Sequence, residues 1–167
     1  RQKMHFASPE FFTMFSFPLI KGNSTTALTA PYSVVISEAM ELKYFPGGEA
    51  LNKSIVMGDT LNFVVTAVMK NIPSNSHIQA DMIISFSTYQ ALEPSFSFDD
   101  GWGNINMRNY LLLKEGVDYQ NFAAKTRNIY MERAVEMLKN WGVSAYVDYE
   151  PMDKIYLHSK SGNGMGP

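Results

Sequence analysis

The chain contains no cysteine. That excludes disulfides, thiolate metal sites and cysteine nucleophiles, while leaving the redox compartment open. Long apolar runs are also missing. The longest nearly apolar stretch, LNFVVTAVM at 61–69, falls far short of the roughly 20 residues that span a bilayer. No basic-then-apolar leader opens the sequence. Charge is sparse and balanced, with 14 Lys+Arg against 16 Asp+Glu, a formal net charge of −2 and no basic cluster longer than two residues. A nucleic-acid partner or an acidic membrane surface is therefore not expected.

What is present is material for a core. Apolar residues make up 46% of the 167 positions and aromatics 13%, enough for one domain or two small lobes on one chain. The abrupt start RQKMHFASPEFF and the glycine-rich end SGNGMGP give the expectation of a soluble piece of a longer protein.

Short strands and helices are expected to alternate. KMHF (3–6) reads as a strand. Ser8 is expected to cap a short helix, with Pro9 at its first position, Glu10 in its first turn and Phe11, Phe12 and Phe15 on one side; Pro18 ends it. YSVVIS (32–37) is a buried strand by its β-branched run. Ser37 then caps the helix in SEAMELKYF, and Pro46-Gly47-Gly48 stops it. SIVM and TLNFVVTAVMK around Gly58-Asp59 read as a hairpin. NIPSNSH (71–77) is a turn cluster, ADMIISF (80–86) a strand and STYQALE a short helix.

PSFSFDDGWGNIN (94–106) reads as a loop and RNYLLLKEG (108–116) as a strand. Asp118 caps the longest helix, to about Asn140, with Phe122, Thr126, Ile129, Tyr130, Met137, Leu138 and Trp141 at helical spacing and Gly142 as terminator. VSAYVDYEPM (143–152) is expected as the return strand of a β-α-β unit. The fold class is α+β in two lobes: a mixed, hairpin-containing lobe and a β-α-β lobe. The three phenylalanines of the first helix are expected to pack on the β-α-β lobe through Ile129 or Leu138.

One motif raises the question of nucleotide. Gly47, four residues, then Asn52-Lys53-Ser54 is one residue short of a phosphate-cradling loop. Such a loop follows a strand and opens a helix, so that the helix N-terminus meets the phosphates. Here a helix precedes the glycines and a strand follows Lys53, so the glycines read as a helix stop and no nucleotide binding is expected. His5, His77 and His158 stand in no metal-ligand spacing; His77 follows a turn and His158 ends an extended segment. Neither a nucleophile elbow nor a zinc-protease motif occurs. Catalytic, cofactor and metal residues are accordingly none. The eleven methionines read as core filler. The loop 94–106 differs from an ordinary polar loop: Phe96, Phe98 and Trp102 stand among Ser, Asp and Gly, with Asp99 and Asp100 beside them. Either the rings fold inward as a lid over core, or they dock a partner with the aspartates as a polar rim.

Four segments, in order, resemble the MacB-like periplasmic core domain of MacB/FtsX-type ABC transporter permeases. ASPEFFTMFSFPLIKGN (7–23) resembles that family's V-x-P-x-F-F-x-V-F-x-F-P-L-L-x-G. SVVISEAMELKYFPGGEALNKSI (33–55) resembles its V-V-I-(S/N)-E segment, which ends in a Gly-Lys pair where this chain has Asn52-Lys53. NFVVTAVMKNIPSNSHIQADMIISF (62–86) resembles the next segment. YLLLKEGVD (110–118) resembles the strand and turn before the family's long helix. The resemblance implies a porter-like lobe from 1–23 and 105–158, with a smaller lobe, 24–104, inserted. It implies no enzyme and no cofactor. It also implies an ABC ATPase acting indirectly through membrane helices, a periplasmic adaptor or lipoprotein, a permease dimer, and a place at the periplasmic face of the inner membrane. Family members carry an N-terminal strand–helix portion and membrane helices that this sequence lacks. The alternative from the residues is a soluble extracytoplasmic module that holds a small peptide or sugar.

Overall fold

Strand-forming residues recur through the first 95 positions, and hydrogen bonding gathers them into one mixed sheet. The protein is a computed structural model, described over residues 2–58, 60–97, 107–142 and 149–158. It divides into two units, Arg1–Ser95 and Phe96–Pro167.

The first unit holds strands β1 (Met4–Ala7), β2 (Leu19–Gly22), β3 (Ser33–Ser37), β4 (Ser54–Met57), β5 (Leu61–Met69) and β6 (Met82–Ser85). Three helices accompany them: α1 (Phe11–Phe15), α2 (Glu38–Tyr44) and α3 (Phe86–Leu92). The strand order is β1-β6-β3-β5-β2, with β4 also on β5. β3 runs parallel to β5 and β1 parallel to β6, while the remaining pairs are antiparallel. β5 is long enough for two partners on one edge: β4 takes Leu61 to Val64 and β2 takes Ala67 to Met69.

β3 is buried throughout because both faces of the sheet are covered. Successive strand side chains point to opposite faces. Val34 and Ile36 join Met40 of α2, Phe63, Val65 and Met82 on one side. Val35 joins Phe12 of α1, Ala27, Leu28, Met69 and Ile83 on the other. The expected hairpin is present, Met57 opposite Leu61. Ser37 caps α2 as its chemistry requires, its Oγ accepting the Met40 N–H at 3.3 Å.

Two expectations in this unit are corrected, and one strand is added that the sequence reading left unassigned. LIKG after Pro18 is strand β2, because its pairing with β5 supplies the bonds that local sequence does not announce. Helix α1 starts at Phe11, with Glu10 rather than Ser8 at the cap and no side-chain cap bond; Ser8 instead accepts the Phe11 N–H through its carbonyl. Phe12, expected on the β-α-β lobe, is buried on the sheet of its own unit with Ala27, Leu28 and Val35. β1 and β2 hydrogen-bond within the first sheet.

The second unit contains α4 (Tyr119–Asn140) and α5 (Met152–His158). Asp118 caps α4, its Oδ1 accepting the Asn121 N–H at 2.7 Å. Gly142 follows the helix at φ +64°, the left-handed geometry glycine tolerates. The face of α4 that is buried carries Ala123, Ala134 and Leu138, whereas Ile129 is 49% exposed and Trp141 59%. Spacing alone could not tell these apart, because apolar residues lie on more than one side of the helix. Residues 107–114 form no strand among the described residues. Of the expected return strand, residues 149–151 form no strand and Met152 opens helix α5, so His158 closes a helix and not an extended segment; Pro151 just before it suits a helix start. The earlier part of that strand, 143–148, lies outside the described residues.

Candidate functional site

Two places carried the functional questions of the sequence, the segment 47–54 and the loop 94–106. The first is now legible atom by atom. Lys21, on β2, sends its Nζ to Glu41 Oε1 at 2.8 Å and to the carbonyl of Gly48. The same Glu41 oxygen accepts the Ala50 N–H at 3.1 Å. Ala50 is fully buried against the α2 side of the sheet. Asn52 has φ +63° and donates its N–H to Val65 O at 2.8 Å, and Val65 N–H returns to Lys53 O at 2.9 Å.

These contacts explain the near-motif without a nucleotide. Position 52 needs a left-handed backbone, which glycine and asparagine adopt most readily. A glycine or asparagine before Lys53 is therefore a demand of the turn into β4. The lysine that binds across the segment is Lys21, not Lys53.

Glu41 sits in this network nearly out of water, its side chain 9% exposed beside a 34% exposed Lys21. Burial works against its ionisation. The Lys21 and Ala50 hydrogen bonds and the Lys21 charge outweigh that and hold its carboxyl below the ordinary value of 4.5. A carboxyl lowered by folding contributes stability that is full above its unfolded pKa and is lost as pH falls through the folded one. Urea unfolding from pH 7 down to pH 3 should therefore show an acid loss of stability that Glu41→Gln makes shallower. An identical acid slope in the variant would remove Glu41 from the account.

Of the loop residues, Phe96 is half-buried. Phe98, Asp99, Asp100 and Trp102 lie outside the described residues. His5 is exposed at the sheet edge, with Nε2 2.9 Å from Gln79 O. No group of three or more His, Asp or Glu able to hold a metal occurs among the described residues. No helix among them is long and apolar enough to cross a membrane. An open recess of about 460 Å³ lies beside α1 and β2, between the Phe12 and Phe17 rings and Asn23. Sequence reasoning missed both this recess and the Lys21–Glu41 pair, because each depends on β2 lying beside β5.

The model of the MacB-like periplasmic core domain matches residues 3–129. A search of the curated proteins finds no match. Among solved structures, the chain is similar to a domain of a protein assigned as a permease from Porphyromonas gingivalis. The identity is 24% and the TM-score 0.52, over 83% of this chain and 59% of that one. It is also similar to the periplasmic region of MacB from Actinobacillus actinomycetemcomitans, at 14% identity and a TM-score of 0.49, over 91% of this chain and 62% of that one. The chain thus spans about three-fifths of each solved chain. The first likeness concerns the fold; the family model, matching well over half of the sequence, carries the assignment: the chain belongs to the MacB-like periplasmic core domain family.

Proposed function

We propose that this domain couples ATP-driven movement of the membrane helices of an ABC transporter permease to export or to a periplasmic partner. The observation that supports the reading is the family match across 3–129. The family is a permease domain of extracytoplasmic location, not an enzyme class. On this reading the chain is non-catalytic. A separate ATPase subunit or domain acts on it indirectly through the membrane helices, at the periplasmic face of the inner membrane. A periplasmic adaptor or lipoprotein is the partner outside the membrane, and the full-length permease works as a dimer.

The docking surface belongs to the loop 94–106. Phe96, Phe98 and Trp102 are its anchors, since aromatic side chains carry much of the binding free energy at interfaces. Asp99 and Asp100 are its polar rim. The test is the double variant Phe98→Ser with Trp102→Ser. Thermal stability of the isolated domain should stay within a degree or two. In the full-length permease the same pair should abolish export or adaptor pull-down. A domain that loses several degrees of Tm would mean that the rings cover core. A variant that melts and transports normally would remove the loop from the function.

A further inference from the structure

The segment between α2 and β4 joins an unpacked glycine end to a buried centre. At one end stand Gly47 and Gly48, and a Cβ built at either position would have no atom within 4 Å. Gly48 has φ +70° and Asn52, at the other end, φ +63°. The glycine end is thus free in conformation and unpacked, while the Asn52 end is a left-handed turn whose N–H bonds to Val65 O. Between them one small side chain, Ala50, is fully buried, so a single methyl anchors the segment to the apolar face of Met40, Phe63 and Val65. Besides the local backbone bonds from Gly48 N–H to Phe45 O and from Lys53 N–H to Ala50 O, the ties converge on two side chains. Lys21 Nζ holds the Gly48 carbonyl, Glu41 Oε1 holds the Ala50 N–H, and the two are joined at 2.8 Å.

We propose that residues 46–51 form a strap that opens as a unit while the sheet stays paired, with Lys21–Glu41 as its clasp and Gly47-Gly48 and Asn52 as its hinges. The strands beneath are held differently. β5 is paired along both edges and lined by fully buried side chains, so its opening requires loss of the sheet. A segment held by one methyl, one ion pair and a few local backbone bonds opens at lower cost, and such low-stability units are the parts of a fold that can rearrange without unfolding it. Opening uncovers the apolar surface over Met40, Phe63 and Val65, beside the end of α2.

Hydrogen exchange of the whole chain tests this. In the wild type at low urea, the Gly48 and Ala50 amides should exchange through an opening with a much weaker urea dependence than the amides of Val34–Ile36, Val65–Met69 and Met82–Ser85. In Lys21→Met and in Glu41→Gln, the Gly48 and Ala50 amides should exchange at least tenfold faster, with the strand amides changed less than twofold. Gly48 is the decisive reporter, because its N–H bonds to Phe45 O and not to the clasp. Acceleration at Ala50 alone would mean a lost contact and no strap. Acceleration spread evenly over the strands, or one urea dependence shared by all amides, would mean that the pair only adds to global stability. Either result overturns the proposal, and the wild-type urea series decides even if a variant fails to fold.

Discussion

Replacing Phe12 by alanine is expected to destabilise the first unit by about 3–5 kcal/mol, the range for a buried phenylalanine. The residue is 2% exposed and is surrounded by Ala27, Leu28, Val35, Ala67, Met69 and Ile83. Phe11 lies edge-on to it at 5.2 Å and stacks on Phe17 at 5.5 Å. The cavity left behind cannot collapse easily, because the sheet forms one wall and the 23–30 turn another. α1 has only five residues and no stability of its own, so it should detach together with the lost ring. A fall in melting temperature of at least about 10 °C follows for a unit of this size. A change within error would show that α1 is attached by something other than Phe12. Phe15→Ala, at a half-buried position, should cost visibly less.

Replacing Gly22 by alanine is expected to cost about 2–5 kcal/mol, from two separable sources. The residue has φ +89°, in a region where an L side chain costs roughly 1–2 kcal/mol. A Cβ there would also lie 2.5 Å from the carbonyl oxygen of Thr66 and 2.6 Å from the Ala67 Cβ. Overpacking of that kind costs about 1–3 kcal/mol more, because backbone must move. Gly48 serves as the control. It too has a positive φ, +70°, but nothing within 4 Å of a Cβ, so Gly48→Ala should incur the backbone cost alone. Urea midpoints of the two variants measure the difference. Equal losses would show that the close approach of β2 to β5 is not what demands glycine at position 22.

Much of the local structure was legible. Ser37 and Asp118 were read as helix caps because an oxygen next to exposed N–H groups has one favourable arrangement. The β4–β5 hairpin was read because Gly58-Asp59 separates two β-rich runs. Those rules act over three or four residues, and the structure obeys them. Ser8 shows their limit: the residue type was right for a cap, but one turn, closed by the Phe11 N–H on Ser8 O, comes before the helix begins at Phe11. Ile129 shows another, since helical spacing finds candidate faces and packing chooses among them. The stretch 94–106 was singled out from composition alone, by three aromatics among polar residues, and its docking role is a proposal.

By itself the sequence determined the family, through four ordered motifs that cover most of the chain, and it determined the α+β class through alternating β-branched runs and capped helices. It also excluded a nucleotide loop, because the order of helix and strand around Gly47 is a local property. Only the tertiary structure decided that LIKG is a strand, since a four-residue strand with a polar member exists only where β5 offers it a partner. Only the tertiary structure put Phe12 under the sheet and Lys21 against Glu41, 20 positions away. It likewise made position 52 a left-handed turn residue rather than a phosphate contact. Contacts of that kind depend on strand order and register. These are set by which surfaces bury each other best over the whole unit, and no window of neighbouring residues contains that information.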